Sequence, residues 1–508
     1  TNNYYLEGTA DKAAGRDDAE MVDKNTVKPM PKEAFGDGTI LGLMINGRED
    51  GTHPWGGECG YVESAGMVLP ILKREESIYA HTHCICGTGT GFDGHDAHNS
   101  VTWTPWTKTY ILPSKAGYYF LTDDVVLEHD QTTSSQGVYI CLNGYSVKIA
   151  DTEDESNNPA LLLNGGTLTV TDCGTKGTVN DITIYSGKLI MYGGSVPAAS
   201  RLTIAESGEL FAAGNAAFKG TVTNKGTVSA GIFDGEVINE QGTVNGGTFN
   251  GKVISSGGTI NNGTFNGVVD LSRYPTQGGD SAVIVNGGIF TETSTVNNIG
   301  STIYNGTFSG KVTVIGYINP LNGGGMTGVI RGGTFTKTSE VTVLTQNPGN
   351  LVGILCYGDY YGKVRLEGGV IKDADSDKWP VFHESCEVYF TSGYANGGIY
   401  YGTEIYGEAQ VRSGAYCTVR FNTAGGSEVP EQKVLRGKKI APLSAKTTKT
   451  GYAFGGWLKY GTPFDLTATP FVDHIVDLTA VWSQRTDYAV KFNTDGGTNI
   501  ADKTNMKW

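Results

Sequence analysis

The sequence has no stretch of 18 or more apolar residues, so it predicts no transmembrane helix. It also lacks heptads and the 3.6-residue spacing of apolar residues that marks amphipathic helices. Positive charge is scarce: 38 Lys and Arg residues stand against 52 Asp and Glu residues, and the net charge is −14. Because the basic residues are also scattered, we expect no nucleic-acid partner and no attachment to anionic membranes.

Signatures of catalysis are missing as well. The sequence contains no G-x-S-x-G, H-E-x-x-H or P-loop motif. Its eight cysteines are too widely spaced for a dense disulfide scaffold. By contrast, 74 glycines and 26 tyrosines accompany only 18% charged residues, a composition that is typical of turn-rich β structure.

The dominant feature is a 16-residue repeat between residues 220 and 269, in which Phe233, Phe249 and Phe265 recur at that interval. Glycine and β-branched residues keep the same step at further positions: Gly226, Gly242 and Gly258; Val228, Val244 and Ile260; Val237, Val253 and Val269. A fixed short period of this kind predicts a stacked array of equivalent units.

Each unit holds two or three apolar or β-branched pairs separated by Gly, Asn or Asp, which predicts very short strands joined by tight turns. One unit buries only a few side chains at about 1.5–3 kcal/mol each, whereas ordering its backbone costs about 1–2 kcal/mol per residue. The units must therefore stack to be stable. We predict an all-β fold in which residues 110–413 form a right-handed parallel β-helix, or β-solenoid, with stacked phenylalanines and valines inside and asparagine ladders at the corners.

The repeat loosens beyond residue 269. Phe290, Phe308 and Phe335 carry the same Gly-x-Phe signature at longer intervals. The extra residues, at 272–280 and 316–325, predict loops inserted at corners, and insertions on one side of a solenoid commonly form its binding surface.

Residues 1–109 are predicted to form a polar N-terminal segment and cap with a possible metal knuckle. Cysteine thiolates and neutral imidazoles are the ligands that Zn²⁺ prefers, and four of them in a tetrahedral array close a structural site. A glycine-rich knuckle with little core would gain folding energy from such an ion. The candidate ligands are Cys84 and Cys86 first, then His81 or His83, then His98 or Cys59. The alternative is a surface turn that binds nothing.

A second, weaker metal candidate lies in the solenoid. Asp373, Asp375 and Asp377 alternate along the chain, and carboxylate oxygens are the ligands that Ca²⁺ prefers. The run lacks the glycine and the distal glutamate of an EF-hand loop, so a solvated acidic turn is the favoured interpretation.

The composition changes near residue 414. Three motifs follow in order: V-x-F-x-T-x-G-G from Val419, G-Y-x-F-x-G-W from Gly451, and L-x-A-x-W from Leu478. At Tyr488 the first motif begins again, and the chain reaches only Trp508. Residues 416–482, about a seventh of the chain, resemble the Listeria–Bacteroides repeat, the B-type repeat of internalin-like surface proteins.

That resemblance implies a small β-grasp module at 414–484, of the kind strung in tandem on extracellular bacterial proteins. It also implies a truncated second copy at 485–508, so we expect the chain to be a piece of a longer surface protein. More loosely, the Gly-Gly-Thr-Phe rungs and the His-x-His-Cys-x-Cys-Gly element resemble segments of large secreted proteins from anaerobic Gram-positive gut bacteria.

These features together predict a non-catalytic, extracellular bacterial surface protein. In this interpretation, a stiff rod presents corner loops to a host protein or a glycan, as an adhesin or stalk. The alternative is a carbohydrate-active β-helix enzyme, either a polysaccharide lyase or a glycosidase. Such an enzyme needs clustered acids on successive coils, whereas the outward positions of the regular rungs carry Asn, Thr, Ser, Lys and single acids.

Overall fold

A computed structural model describes most of the chain beyond residue 98 and shorter pieces before it. The described residues are 3–6, 27–30, 61–64, 67–70, 81–86, 99–133, 137–150, 160–174, 176–272, 282–318, 325–345, 352–407, 410–443, 446–486 and 488–506. Within these ranges the fold is all-β, with a single 3₁₀ turn at Ser413–Ala415 and with no apolar helix of the length that a bilayer requires.

Six short strands precede the stacked coils and pair locally: β1 with β2 in parallel, β3 with β4 and β5 with β6 antiparallel. Their bounds are β1 Asn3–Leu6, β2 Val27–Met30, β3 Tyr61–Ser64, β4 Met67–Pro70, β5 Thr82–His83 and β6 Val101–Thr102.

The next 36 strands belong to the coils, and all but two of them, β9 and β12, join one 34-stranded sheet that winds continuously around the axis. Their bounds in the first half are β7 Thr104–Trp106, β8 Gly117–Leu121, β9 Val125–Leu127, β10 Gln131–Thr133, β11 Val138–Cys141, β12 Val147–Ile149, β13 Leu161–Thr171, β14 Ile182–Met191, β15 Ser195–Val196, β16 Arg201–Ala212, β17 Ala217–Phe218, β18 Thr221–Asn224, β19 Thr227–Ala230, β20 Ile232–Phe233, β21 Val237–Asn239, β22 Thr243–Val244, β23 Thr248–Phe249 and β24 Val253–Ser255. The second half comprises β25 Thr259–Ile260, β26 Thr264–Phe265, β27 Val268–Ser272, β28 Ile284–Val285, β29 Ile289–Phe290, β30 Thr295–Ile299, β31 Thr302–Ile303, β32 Thr307–Phe308, β33 Lys311–Ile318, β34 Gly325–Thr327, β35 Val329–Phe335, β36 Glu340–Thr345, β37 Ile354–Tyr360, β38 Lys363–Lys372, β39 Pro380–Phe382, β40 Glu387–Asn396, β41 Ile399–Tyr400 and β42 Glu404–Tyr406.

Each 16-residue unit forms one coil of three short strands, such as β22, β23 and β24, and each strand pairs in parallel with its equivalent in the next coil. The parallel β-solenoid that the repeat predicts is therefore confirmed, while its right-handed sense stays a prediction. One inward-facing column, buried except at the half-buried Ile405, runs through fourteen coils in unbroken register: Gln131, Leu161, Ile182, Leu202, Val222, Val237, Val253, Val269, Val296, Val312, Val341, Val364, Val388 and Ile405.

An aromatic ladder forms a second buried column. Ten rings stack face to face, with neighbouring centroids 4.5–5.1 Å apart and ring planes within 6–23° of each other. The ladder comprises Phe218, Phe233, Phe249, Phe265, Phe290, Phe308, Phe335, Tyr360, Phe382 and Tyr400. The predicted stacking of the phenylalanines is thus confirmed, and it extends well beyond the regular repeats.

The glycine of the Gly-x-Phe signature makes room for this ladder. Gly263 has φ +142°, and a β-carbon there would lie 3.0 Å from the ring of Phe249 and 3.1 Å from that of Phe265. A side chain at this position would strain the backbone and displace the rings. The Gly-x-Phe signature therefore supplies both the ring of the ladder and the space that the stacked rings need.

Polar ladders run beside the apolar ones, as the sequence predicts. Outside the coil, the Asn261 amide donates to Asn245 at 2.8 Å and accepts from Asn286 at 2.9 Å. Inside it, the Asn239 amide accepts from Asn224 at 2.8 Å and donates to the Ser255 hydroxyl at 3.0 Å. The buried Asn239 amide is therefore satisfied from the coils on both sides, whereas the Asn224 side-chain oxygen at the end of this inner ladder has no hydrogen-bond partner among the described residues.

The insertion at 316–325 differs from the predicted loop. The chain continues β33 outward and returns as β34, so that Gly316 pairs with Thr327 and Ile318 with Gly325 in an antiparallel hairpin. The corner insertion predicted at 272–280 lies almost wholly outside the described residues.

The C-terminal module is a five-stranded mixed sheet in the order β44-β43-β47-β45-β46. Strands β43 and β47 pair in parallel at its centre, and the other pairs are antiparallel. Two more strands, β48 and β49, form a separate antiparallel pair. The bounds are β43 Tyr416–Asn422, β44 Gln432–Leu435, β45 Tyr452–Lys459, β46 Thr462–Phe464, β47 Ile475–Gln484, β48 Tyr488–Val490 and β49 Lys503–Met506.

The module is docked onto the last coil of the solenoid. The Arg436 guanidinium, 1% exposed, donates to Asp373 of the solenoid at 2.7 Å, and the Arg436 carbonyl accepts the backbone N–H of Tyr400 at 2.8 Å. A β-carbon on Gly437 would lie 2.6 Å from the Tyr400 nitrogen, so the module's backbone lies directly on the final ladder residue. The solenoid therefore ends against this module rather than in solvent.

Replacing one ring of the ladder should destabilise the whole stack. We expect Phe265→Ala to lower the free energy of unfolding by about 3–5 kcal/mol, because it opens a cavity and removes two stacked contacts. Thr264→Ala, on the neighbouring outward position, is the matched control and should change it by less than about 0.5 kcal/mol. Urea denaturation followed by circular dichroism measures both. Equal effects of the two substitutions would contradict a stability role for the ladder.

Breaking the buried ion pair should loosen the junction. Arg436→Ala removes the buried guanidinium from the Asp373 carboxylate and leaves the exposed His474 imidazole at 3.3 Å, and we expect a loss of about 3 kcal/mol in the stability of the docked module. Arg420→Ala removes the exposed Arg420–Glu431 pair of the same module and should cost at most about 1 kcal/mol. Hydrogen exchange at Tyr400 provides the measurement, and unchanged protection in the Arg436 variant would refute the docking contact.

Candidate metal centre

Four side chains that bind transition metals converge beside the first coils. They are His81, His83, Cys141 and Cys173, and their ligand atoms all lie within 4.8 Å of one another. Among the described residues this is the one convergent group of three or more His, Cys, Asp or Glu side chains that could hold a metal ion. Two of its four members, His81 and His83, are residues that the sequence predicts as ligands.

The strands fix the positions of all four ligands. His83 ends β5, and the backbone N–H of Trp103 donates to the His81 carbonyl at 2.9 Å, which anchors the segment before the strand. Alternate residues of an extended segment point the same way, so the H-x-H spacing directs both imidazoles to one side. Cys141 ends β11, and Cys173 follows β13 in the next coil, where Cys141 pairs with Thr171.

The four ligand atoms lie at the corners of a compact quadrilateral. His83 Nε2 lies 3.0 Å from His81 Nε2 and 3.3 Å from Cys141 Sγ. Cys173 Sγ lies 3.4 Å from both Cys141 Sγ and His81 Nε2. Zinc bonds of about 2.1 Å to nitrogen and 2.3 Å to sulfur give tetrahedral edges of about 3.4–3.8 Å. The four sides of this quadrilateral are therefore a few tenths of an ångström shorter than tetrahedral edges, whereas the longest separation, up to 4.8 Å, must shorten to form a tetrahedral Cys₂His₂ site.

Supporting contacts orient the imidazoles. His83 Nδ1 lies 2.5 Å from the Cys84 carbonyl oxygen, so a proton on Nδ1 leaves Nε2 as the metal-binding atom. The Trp103 indole N–H donates to the His83 carbonyl at 3.1 Å, and the Phe120 ring stacks on His81 at 4.3 Å. Trp103, Phe120 and Cys141 are all buried in one cluster, which backs the site on one side.

The two cysteines have different proton affinities. The hydrogen bond from the Cys141 thiol, followed by those from His81 and His83, lowers the pKa of Cys173 to about 3. The pKa of Cys141 is raised, because its thiol donates that same hydrogen bond and because it is buried. Cys173 is thus the thiol of the pair that loses its proton more readily, and thiolate is the form that binds metals.

The other predicted ligands lie elsewhere. Cys84 and Cys86 have sulfur atoms 3.2 Å apart and pack with Tyr192 in a separate buried cluster. Burial raises the pKa of the Cys86 thiol to about 11. Cys59 and His98 lie outside the described residues. A ligand role for these four residues stays a prediction.

Sequence reasoning missed Cys141 and Cys173. The two are 32 residues apart, and only the parallel pairing of β11 with β13 makes them neighbours. One signal was present: Cys141 shortly precedes the turn at Asn143-Gly144, and Cys173 directly precedes Gly174. Two cysteines at matching turns of adjacent coils are expected to lie close together.

The acidic run at 373–377 does not form a comparable group. Asp373 accepts the Arg436 guanidinium at 2.7 Å and the backbone N–H of Gly398 at 2.7 Å, so its carboxylate is already engaged. The Asp375 backbone pairs with Lys378 in a local turn.

Comparison with known proteins identifies one part of the chain. Residues 417–481 match the family model of the Listeria-Bacteroides repeat domain, and they coincide with the five-stranded module. No curated protein and no solved structure matches the chain. The resemblance predicted from the three motifs is thereby confirmed. Because this repeat is found in bacterial surface proteins, the match indicates a surface-associated repeat protein.

Proposed function

We propose that this protein is an extracellular stalk or adhesin that holds binding surfaces away from a bacterial cell and presents them to a host protein or glycan. The observation that carries this proposal is the unbroken register of the solenoid, because fourteen stacked positions follow one another without a break in pairing. Thirteen steps of about 4.8 Å give a rod of roughly 62 Å. Such a structure transmits force along its axis through every backbone hydrogen bond.

The junction extends this stiffness into the repeat. Arg436 and Asp373 form a buried ion pair, and the Lys438 ammonium donates to the Thr403 carbonyl at 2.6 Å. Together with the hydrogen bond from the Tyr400 N–H to the Arg436 carbonyl, these are three contacts from one segment of the module, and they leave little freedom for a hinge. A stiff joint supports a spacer role, since a flexible joint would let the tip fold back on the rod.

The hairpin of β33 and β34 extends from the column of the sheet that contains β27, β33 and β36. The insertion that the sequence predicts at 272–280 follows β27 of the same column. Insertions that leave the coil on one side are where solenoids commonly bind partners. This edge is therefore the part of the rod that we expect to meet a partner.

The metal centre supports this role as a structural zinc site that cross-links the N-terminal segment to the solenoid. His81 and His83 would supply Nε2, and Cys141 and Cys173 would supply thiolates, so one ion would tie the segment at 81–86 to two successive coils. All four positions are filled by protein atoms, which is the arrangement of a structural rather than a catalytic site. Because the ligands come together only in the folded chain, the binding free energy stabilises the fold.

The zinc content of the purified protein tests the proposed structural site. We expect the purified chain to carry about one equivalent of zinc and to show, after cobalt substitution, the absorption of a tetrahedral site with sulfur ligands. Cys173→Ser should lose the metal, whereas Cys386→Ser, at a buried cysteine distant in sequence, should keep it. Loss of metal in Cys84→Ser but not in Cys173→Ser would instead assign the site to the neighbouring pair. Elemental analysis that finds less than about a tenth of an equivalent would end the proposal.

Attachment tests the surface role. Beads coated with the full chain should adhere to host cells or to arrayed glycans and host proteins, and albumin-coated beads should not. Treating the target with glycosidase or with protease separates a glycan partner from a protein partner. A polysaccharide panel incubated with the same chain serves as the counter-test. Release of unsaturated or shortened sugars without attachment would replace the adhesin with the carbohydrate-active enzyme.

A further inference from the structure

The repeat module has a cavity of about 590 Å³ at the end that faces away from the solenoid. Strands β43 and β47 both start beside the last coil and run outward, and Gln484 at the far end of β47 pairs with Tyr452 of β45. We call this cavity the distal crevice; Tyr452, Phe454, Trp457 and Trp482 form its aromatic lining. Its size falls in the range of small-molecule sites, about 300–1,000 Å³.

A bulge in the sheet opens the crevice. The register of β45 against β47 shifts between Phe454 and Gly456, which places Phe454 opposite Trp482 with ring centroids 5.4 Å apart. Phe454 is left 44% exposed, whereas Trp457 at the base of the crevice is only 5% exposed. An apolar ring exposed beside a half-open core gains free energy when a ligand covers it.

The aromatic walls are held in place before any ligand arrives. The Trp482 indole N–H donates to the Thr423 carbonyl at 2.8 Å, and Phe454 packs edge-on against Trp457 at 5.3 Å. Rings that are already fixed lose little conformational entropy on binding, and their faces and edges are suited to the C–H faces of sugars.

The rim of the crevice is cationic. Lys446, Lys449 and Arg485 line it, and none of its lining residues is acidic. Lys449 is positioned by the Ala424 carbonyl at 2.9 Å and lies over the Tyr452 ring at 4.7 Å. In a chain with a net charge of −14, three cations around an aromatic cavity form a local field that attracts anions.

We propose that the distal crevice binds an acidic saccharide, a short run of sugars that carry carboxylates. Sugar rings pack on Phe454 and Trp482, and a carboxylate pairs with Lys446 and Arg485 at the rim. This assignment builds on the proposed surface role, for which it names the class of one partner. Residues 488–506 contribute nothing to the lining, so the second sheet does not occupy the crevice.

Calorimetric titration of the full chain tests the assignment with defined probes. These are a tetramer of galacturonic acid, a neutral cello-oligosaccharide of the same length, and a peptide rich in Asp and Glu. We expect the uronate tetramer to bind, the neutral tetramer to bind at least about tenfold more weakly, and the affinity for the uronate to fall as salt rises. A peptide that binds more tightly than the uronate would overturn the saccharide assignment.

Two variants and a matched control locate the site. Phe454→Ala removes an exposed ring, and Lys446→Gln with Arg485→Gln removes two rim charges; each should weaken uronate binding about tenfold. Lys433→Gln with Lys439→Gln removes two exposed cations of the same module outside the crevice and should leave binding within about twofold. Equal losses in both charge variants would mean a non-specific attraction and would overturn the proposal.

The folded state of each variant is checked by its unfolding midpoint, which should match that of the parent chain. Bead attachment is measured on the same proteins. Attachment that persists in the Phe454→Ala variant while uronate binding is absent in the parent chain would remove the crevice assignment but leave the surface role standing. Loss of attachment in every chain would remove the surface role itself.

Discussion

In a parallel coil each side chain lies one strand spacing, about 4.8 Å, from its equivalent in the next coil, and the architecture of the solenoid follows from that proximity. Equivalent residues must tolerate contact with copies of themselves. Aromatic rings satisfy this by stacking, and amides satisfy it because each has a donor and an acceptor. Like charges do not, and opposite charges occupy equivalent positions of neighbouring coils: Lys188 pairs with Glu209 at 2.8 Å and Lys363 with Glu387 at 3.7 Å. The one like-charged neighbour pair that we note, Glu387 beside Glu404, is relieved by tyrosines whose hydroxyls donate to the carboxylates at 2.8 and 2.6 Å.

The same proximity makes the ends and flanks of the rod its weak points. An open last coil would expose unpaired backbone groups and one bare ring face. At the C-terminal end the module covers both, since the Arg436 carbonyl takes the Tyr400 N–H and Gly437 lies against the same residue. The first coils are irregular and carry outward aromatic residues, and the segment at 81–86 lies along that flank with His81 on Phe120 and Cys84 beside Tyr192. A metal ion there would lock the segment onto coils that lack the regular ladder.

How far the sequence predicts the structure depends on whether an interaction repeats. A period of 16 residues fixes the register by itself, so the stacking of Phe233, Phe249 and Phe265 follows from spacing alone. The three motifs of the repeat module can likewise be recognised from residues that are close together in the sequence. The partners of His81 and His83 could not be predicted this way, because the coil between Cys141 and Cys173 does not have the regular length. Until the pairing of β11 with β13 is known, any of several cysteines could complete the site, and proximity along the chain favoured Cys84 and Cys86.

One end of the repeat module packs on the solenoid, and the other end carries the distal crevice. Its proximal end is desolvated and specific, because Arg436 fits between the Asp373 carboxylate and the Trp379 ring at 5.0 Å. Its distal end leaves Phe454 44% exposed beside Trp482, next to the bulge in β45. Exposed apolar surface lowers the stability of a module of fewer than a hundred residues, whose core is small. The proposed binding role offers a reason for an exposed aromatic surface surrounded by cations, whereas the opposite end buries its charges against the solenoid.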